Sequence, residues 1–384
     1  MQVKEPLAKD STTQVVSPYQ QIDTPVLLID REKLMDNLRW MQEKADRWGV
    51  KLRPHTKTHK MPELAKIQRN LGACGITVAK VGEAETMAEY GLDDIFIANE
   101  IVGDAKWRRV ARLSKWCHVL FGVDSPEAVE GMERVFAEED ATALVRIEIE
   151  VGEERSGVVT EAQFDAVLQA IAAAPHVQLE GVFSHEGHSY TAQTVEACLT
   201  LTEVALKRTL DFADRARQAG FELETVSIGS TPSLAHCEHL MDGITEIRPG
   251  TYVFMDVSQG NCIGTYDRCA ATVLTTIISE PTEERLIGDA GAKALTAQSR
   301  DTGLCHAEGK GYIKGSGTIY ADDVYDEHTI IYSRTLRETL KIGDKIELIP
   351  NHICPVVNLY DQAVLVSDGQ AVGTLDIACR GKLR

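Results

Sequence analysis

Arg53-Pro-His-Thr-Lys-Thr-His-Lys60 follows a short apolar run and sets five side chains that can carry positive charge within eight positions. Pro54 turns the residue before it away from helix and has no amide hydrogen to donate, so the stretch reads as a strand end entering a loop. A lysine held among Arg53, His55, His59 and Lys60 is expected to feel like-charge repulsion, which lowers its pKa and frees an amine to attack a carbonyl. On this reading Lys57 is a candidate Schiff-base lysine. The plain alternative is a solvated basic loop that binds phosphate, and the surrounding chain must decide between them.

Working outward, Val26–Ile29 reads as a short strand, and Asp30 caps a helix with Leu34, Leu38, Met41, Ala45 and Trp48 on one face. Further strands are expected near 50–53, 75–78, 95–98, 118–123, 143–150, 179–184, 224–228 and 245–248. Helical segments such as Asp104–Trp116, Thr160–Ala174 and Val195–Gln218 separate them. Eight such units predict parallel strands with crossover helices closing a (β/α)8 TIM barrel. After Asp256 the pattern changes to short β-branched runs, as in Ala271–Ile278, Thr329–Tyr332 and Lys345–Ile349, which predicts a mainly β second domain. The expected organisation is an N-terminal arm over 1–22, loose and without readable chemistry, a barrel over 23–255 and a C-terminal β domain over 256–384. The strand at 26–29 precedes the first barrel unit and is a candidate to pair with the β domain instead.

The length of 384 residues suits a barrel of about 250 residues plus a smaller module. No apolar run approaches the roughly 20 residues of a membrane span, so no membrane association is expected. A net charge of -18 opposes sequence-independent attraction to nucleic acid. The expected partner is a small molecule. Nine scattered cysteines without a C-x-x-C pair or a secretory leader read as reduced, cytoplasmic usage.

In a TIM barrel, chemistry gathers at the C-terminal ends of the strands. Lys57 follows strand one there, Arg155 strand five, and Ser184-His-Glu-Gly-His-Ser-Tyr190 strand six. Gly229-Ser230-Thr231 and Gly250-Thr251-Tyr252, at strand ends seven and eight, combine glycines with hydroxyl and amide donors. Each alone reads as a turn, but as a pair they suit a phosphate. Phosphate donors behind a Lys57 that captures a carbonyl point to pyridoxal 5'-phosphate. Arg248 would face the pyridine nitrogen and keep it unprotonated, weakening the ring as an electron sink. An ion pair with Glu246 or Asp242 is the structural alternative for Arg248.

In the second domain, Asn351-His-Ile-Cys354 puts imidazole and thiolate two residues apart. On extended chain such residues share a face, so His352 and Cys354 can share one divalent ion, zinc or manganese, with positions left for water and substrate. Pro350 and Pro355 bracket the pair and argue for a defined loop there.

Together these motifs resemble the D-threonine aldolase and D-serine dehydratase family, which shares the alanine-racemase fold of fold-type III pyridoxal-phosphate enzymes. The resemblance covers about residues 23 to 384. It rests on the octapeptide with Arg155-Ser-Gly157, Gly187-His-Ser-Tyr190, Gly229-Ser-Thr-Pro-Ser233, Arg248-Pro-Gly-Thr-Tyr252, Asp289-Ala-Gly291, Glu327-His328 and Asn351 through Asp361. It implies that Lys57 is the Schiff-base lysine and that Arg155 lies near the cofactor's phenolic oxygen. Tyr190 would also be near the cofactor, and Ser230, Thr231, Gly250 and Thr251 would contact its phosphate. His352 and Cys354 would hold a divalent metal. A homodimer with the active site near the subunit interface is expected from the resemblance alone.

The signals for the member divide. Gly229–Ser233 and H-x-C look like D-serine dehydratases, while Asn358-Leu-Tyr-Asp361 and the Lys293 region look like the aldolases. In the aldolase reading a base at His185 or His188, with Glu186 crowding the same place, removes the hydroxyl proton of a β-hydroxy D-amino acid. The Cα–Cβ bond then breaks to glycine and an aldehyde. In the dehydratase reading Lys57 removes the Cα proton, and a keto acid and ammonia result. His59 is a further candidate for proton transfer. The aldolase-type lyase is the leading reading. A metal-independent racemase and a non-catalytic pyridoxal-phosphate-binding protein are the rivals, against which the second domain and its H-x-C pair argue.

Overall fold

A computed structural model of the protein describes residues 8–384. Strand β1 (Val26–Asp30) opens the regular structure, and the Asp30 carboxylate accepts the Lys33 amide at 3.0 Å to start helix Arg31–Trp48. Leu34, Leu38, Met41 and Ala45 are buried on that helix, as its apolar spacing requires. The chain divides into two compact units.

One unit comprises Met41–Lys57, Pro62–Gly250 and Gly381–Arg384. Its strands are β2 (Lys51–Leu52), β3 (Ile76–Val78), β4 (Asp94–Glu100), β5 (His118–Val123), β6 (Ala143–Ile149), β7 (Val177–Ser184), β8 (Thr225–Ile228) and β9 (Glu246–Ile247). They form one parallel sheet in the order β2-β9-β8-β7-β6-β5-β4-β3. The two ends meet: Cys74 donates to the Leu52 carbonyl at 2.9 Å and Thr77 to that of Pro54 at 2.8 Å. An eight-stranded ring follows, with the expected helices outside it. Pro54 ends β2 and lends its carbonyl to the closure, which is why Lys57 emerges at a strand end.

The barrel interior contains a charged layer. Glu246 is fully buried and accepts from Arg53 Nε at 2.7 Å and Arg146 Nη1 at 2.5 Å, while Ser227 donates at 2.7 Å. Arg53 also pairs with Asp94 at 2.5 Å, and Arg146 with Glu180 at 2.5 Å. Burial alone would raise the Glu246 pKa, but Arg146 and Arg53 outweigh it and hold this carboxyl well below the usual range.

The other unit comprises the chain through Trp40, Thr58–Met61 and Thr251–Arg380. It adds β10 (Ala271–Ser279), β11 (Arg285–Gly288), β12 (Tyr312–Ile313), β13 (Asp323–Val324), β14 (Thr329–Tyr332), β15 (Lys345–Ile349), β16 (Gln362–Ser367) and β17 (Gln370–Asp376). The sheet runs β13-β14-β11-β10-β1-β16-β17, and β15 pairs with both β10 and β12. β1 lies antiparallel to β10 and parallel to β16, so the first strand of the chain belongs to this sheet. The expected loose arm is, over residues 8–22, held down instead. Ser17 donates to the Lys345 carbonyl at 2.8 Å, Tyr266 to that of Lys9 at 2.8 Å, and Tyr19 is buried with Leu28, Leu274 and Val366. The rest of the arm lies outside the described residues. Among the described residues no helix is long and apolar enough to cross a membrane.

Replacing Glu246 by Gln leaves two buried guanidinium groups short of charge and should destabilise the protein by about 3–5 kcal/mol, read by urea unfolding. A depressed carboxyl contributes stability that is present above its unfolded pKa and lost as pH falls through the folded one. The acid-side loss of stability should therefore be smaller in E246Q than in the wild type.

Candidate functional site

Two groups of side chains carry the chemistry, one in each unit. In the barrel unit, Lys57 sits half-buried in the single 3-10 turn Thr56–Thr58, its amide donating to His55 Nδ1 at 3.4 Å. Two members of the cationic cluster expected around it add no free positive charge. Arg53 spends its charge on Glu246 and Asp94 inside the barrel. Burial holds His55 well below the ordinary histidine range, with Lys57 and Arg248 adding to the effect, so His55 is neutral. His59 and Lys60 belong to the other unit. There His59 is buried, accepts the Met61 amide on Nδ1 at 3.0 Å and meets Phe254 edge-on. That contact ties His59 Nδ1 to the local fold.

Arg248 is buried beyond the end of β9. Nη1 donates to Ser227 Oγ at 2.5 Å and Nη2 to the Ser184 carbonyl at 2.6 Å. The ion pair weighed with Glu246 does not form, because Arg53 and Arg146 occupy that carboxylate. Burial pushes Arg248 down to about 10 although Glu246 opposes it, which leaves the guanidinium charged near neutrality. Its Nε is buried and has no hydrogen-bond partner. An orphan donor of this kind fits a pyridine nitrogen, which offers one lone pair.

The residues after β7 separate into three roles. His185 Nδ1 is hydrogen-bonded to the Gly229 carbonyl, so that nitrogen carries the proton and Nε2 keeps its lone pair. Burial, then Lys57 and Arg155, hold the imidazole well below its usual range. Glu186 is fully buried and accepts from the Gly229 amide at 3.2 Å and Ser233 Oγ at 2.6 Å, which makes it a structural tie between strand ends. His188 is half-buried in the 3-10 turn Gly187–Thr191 together with Tyr190. Its Nδ1 is buried without a partner, and its ring lies over Gly152, where a Cβ would stand 3.2 Å from Nε2.

Ser230 caps helix Thr231–His236 and is bonded to Ser233 Oγ at 2.8 Å and Ser189 Oγ at 3.2 Å. Gly229 is required beside it, because a Cβ would lie 2.8 Å from the Arg248 backbone. Ser230, Thr231 and Gly250 belong to the barrel unit, whereas Thr251 and Tyr252 open a 3-10 turn of the other. Arg155 is 48% exposed and contacts Glu153 at 3.3 Å and Glu148 at 3.4 Å.

In the β unit, His352 and Cys354 are brought together. In place of the extended chain or bracketed loop expected, His352 precedes helix Ile353–Val357, and Cys354 lies in its first turn. The two side chains hydrogen-bond each other. Cys354 Sγ lies 3.3 Å from Thr58 Oγ1 and 3.8 Å from Thr251 Oγ1. Asp256, which sequence reasoning used only as a boundary, is the missing partner. Its Oδ2 meets His352 Nδ1 at 3.2 Å and the Ile353 amide at 3.0 Å, while Oδ1 caps helix Val257–Ile263 through the Gln259 amide at 2.8 Å. Its place just before a helix was the available signal. Burial would lower the His352 pKa, but Cys354 and Asp256 reverse the sign and push it up to about 9. Among the described residues no set of three or more His, Cys, Asp or Glu side chains converges. Imidazole with thiol, the imidazole oriented by a carboxylate at Nδ1, nevertheless suits a divalent metal with open positions.

The model described as "Alanine racemase, N-terminal domain" matches residues 29–258, and that described as "Putative serine dehydratase domain" matches residues 270–366. A D-threonine aldolase of Arthrobacter sp is 32% identical over 369 residues, 95% of this chain and 94% of that protein. A D-threo-3-hydroxyaspartate dehydratase of Delftia sp. (strain HT23) is 31% identical over 87% of this chain and 91% of its own. Its solved structure superimposes with a TM-score of 0.87 at 28% identity, over 94% of this chain and 98% of that one. A cysteine-to-alanine mutant of a D-threo-3-hydroxyaspartate dehydratase is described in the metal-free form, at TM-score 0.87 and 28% identity over 93% and 98% of the two chains.

Asp256→Asn should weaken divalent-metal retention by roughly 10–100-fold, measured by chelator competition followed by metal analysis, and unchanged retention would remove Asp256 from the site.

Proposed function

The chain belongs to the alanine racemase N-terminal domain family, and from that membership we propose that it is a pyridoxal-phosphate- and divalent-metal-dependent lyase performing retro-aldol cleavage of β-hydroxy D-amino acids. Lys57 would hold the cofactor's carbonyl carbon, Arg248 Nε its ring nitrogen and Arg155 its phenolic oxygen, with Ser230, Thr231 and Gly250 on the phosphate. His352 and Cys354 would hold the metal. When bound, the cofactor supplies a carbonyl for the substrate amine and a ring that withdraws electrons from Cα, and the metal supplies a Lewis acid for the hydroxyl.

The chain's own groups set the course of reaction. Arg248 stays charged near neutrality and would give no proton to a ring nitrogen held beside it, so such a ring would be a weak electron sink. His185 is a poor proton acceptor, since protonation would add a charge beside Lys57 and Arg155. His188 is the better hydroxyl base. Its unpartnered buried Nδ1 is the observation that carries the aldolase reading. The base takes the hydroxyl proton, the Cα–Cβ bond breaks, the aldehyde leaves, and Lys57 or water returns a proton to Cα to give glycine.

A dehydratase reading has support of its own in the sulfur ligand that Cys354 would offer and in a D-threo-3-hydroxyaspartate dehydratase whose cysteine-to-alanine mutant is described in the metal-free form. In that reading Lys57 takes the Cα proton first and His188 has no hydroxyl proton to remove.

Incubating the holoenzyme with D-threonine and D-serine separates the two. Glycine with an aldehyde is expected, and a keto acid with ammonia as the main products would replace the aldolase reading. Lys57→Ala should remove the cofactor's absorbance near about 420 nm. His188→Asn should keep that band and lower cleavage by roughly 10²–10⁴-fold, and wild-type turnover in H188N would transfer the base role elsewhere.

A further inference from the structure

The helix Thr231–His236, with Ser230 at its N-cap, has only 6 residues and cannot hold its own direction. Its pose comes from what is fastened to its two ends. At the start, Ser233 Oγ links Ser230 Oγ, at 2.8 Å, to Glu186 Oε1, at 2.6 Å, and all three side chains are buried. At the finish, the Cys237 amide donates to the Ser233 carbonyl at 3.0 Å and the chain then turns extended, at φ -60° and ψ 131°. No further helical turn follows to supply amides for the Leu234 and Ala235 carbonyls.

Lys44 supplies the donors instead. It stands on the part of helix Arg31–Trp48 that belongs to the barrel unit, as residues 229–238 do, and its Nζ donates to the Leu234 carbonyl at 2.7 Å and to the Ala235 carbonyl at 2.8 Å. Lys44 is 7% exposed, so water competes little for these bonds, and a cation at this end complements the partial negative charge of the helix. Trp48, one turn further along, completes the clamp: its ring centroid lies 5.1 Å from Lys44 Nζ, and its Nε1 donates to the Glu238 carbonyl at 2.7 Å. A buried ammonium is costly, and packing alone at this position would be met by an apolar side chain of the same length. What Lys44 adds is a fixed place for the end of one short helix.

We propose that Lys44 is a positioning residue for the cofactor's phosphate: by holding the Leu234 and Ala235 carbonyls it fixes the helix that presents Ser230 and Thr231, and with them the donors offered to that phosphate. This rests on the pyridoxal-phosphate reading above. A role confined to folding would weaken the cofactor equally with and without its phosphate. A role in aiming phosphate donors weakens the phosphorylated form alone, which gives the test its readout.

The full chain is freed of cofactor and titrated with pyridoxal 5'-phosphate and, separately, with pyridoxal, each followed by the band near about 420 nm. The wild type should bind the phosphorylated form more tightly. Lys44→Met keeps the length without a donor and should weaken pyridoxal 5'-phosphate roughly 10–100-fold, while pyridoxal changes by less than about twofold. Lys44→Arg keeps charge and donors and should return pyridoxal 5'-phosphate binding to within about threefold of the wild type. Lys44→Gln removes the charge more gently and is read in place of K44M where that variant does not fold. Wild-type affinity for pyridoxal 5'-phosphate in K44M overturns the inference, as does an equal loss for both ligands or a K44R as weak as K44M. A wild-type chain that gives no band with either ligand overturns the lyase reading together with this one. A wild-type preference for the phosphorylated form that survives in K44M overturns this one alone.

Discussion

Glu246 sits fully buried between Arg53 and Arg146, and the barrel is arranged around the need to keep that charge paired. Taking three ions out of water costs several kcal/mol each unless their remaining donors and lone pairs are also used. Here they are: Arg53 extends to Asp94 on β4, Arg146 to Glu180 on β7, and Ser227 on β8 donates to Glu246 itself. One carboxylate on β9 thereby fixes the relative positions of most of the ring, including the seam at which β2 meets β9. Breaking any member leaves an uncompensated charge, so the layer works as a unit.

The same network shapes the candidate site above it. Arg248 lies two residues beyond Glu246, yet no oxygen of that carboxylate remains for it. It turns to Ser227 and the Ser184 carbonyl and keeps its Nε open. Arg248, Arg155 and Lys57 then supply the positive charge of the region, and His55 and His185 respond by staying neutral. Neutral imidazoles can line a cofactor without competing for its phosphate or adding to the repulsion on Lys57. His188, by contrast, keeps its buried Nδ1 without a hydrogen-bond partner.

The His352–Cys354 pair follows a comparable logic in the other unit. Asp256 holds both His352 and the amide that starts the helix bearing Cys354, so a single carboxylate sets the spacing of imidazole and thiolate. The racemase-like match at residues 29–258 and the dehydratase-like match at 270–366 divide the chain between Lys57 and the His352–Cys354 pair.

Much of this was legible in the chain. The alternation of apolar runs with amphipathic helices is written in local periodicity, and the rule that barrel chemistry lies at strand ends picks out Lys57, Arg155, Ser230 and Arg248. His352 and Cys354 were legible as residue types at a ligand spacing. What needed the folded chain was every assignment that depends on a partner distant in sequence. Arg53 looked like a member of the basic octapeptide until Glu246, 193 residues away, claimed it. β1 took its neighbours from β10 and β16, and Asp256 became a support for His352 across 96 residues. Composition and period determine what a segment can form, because they act through neighbours three or four positions away. Which charges cancel, which histidines stay neutral and which donors remain open depend on contacts that exist only once the strands are in register.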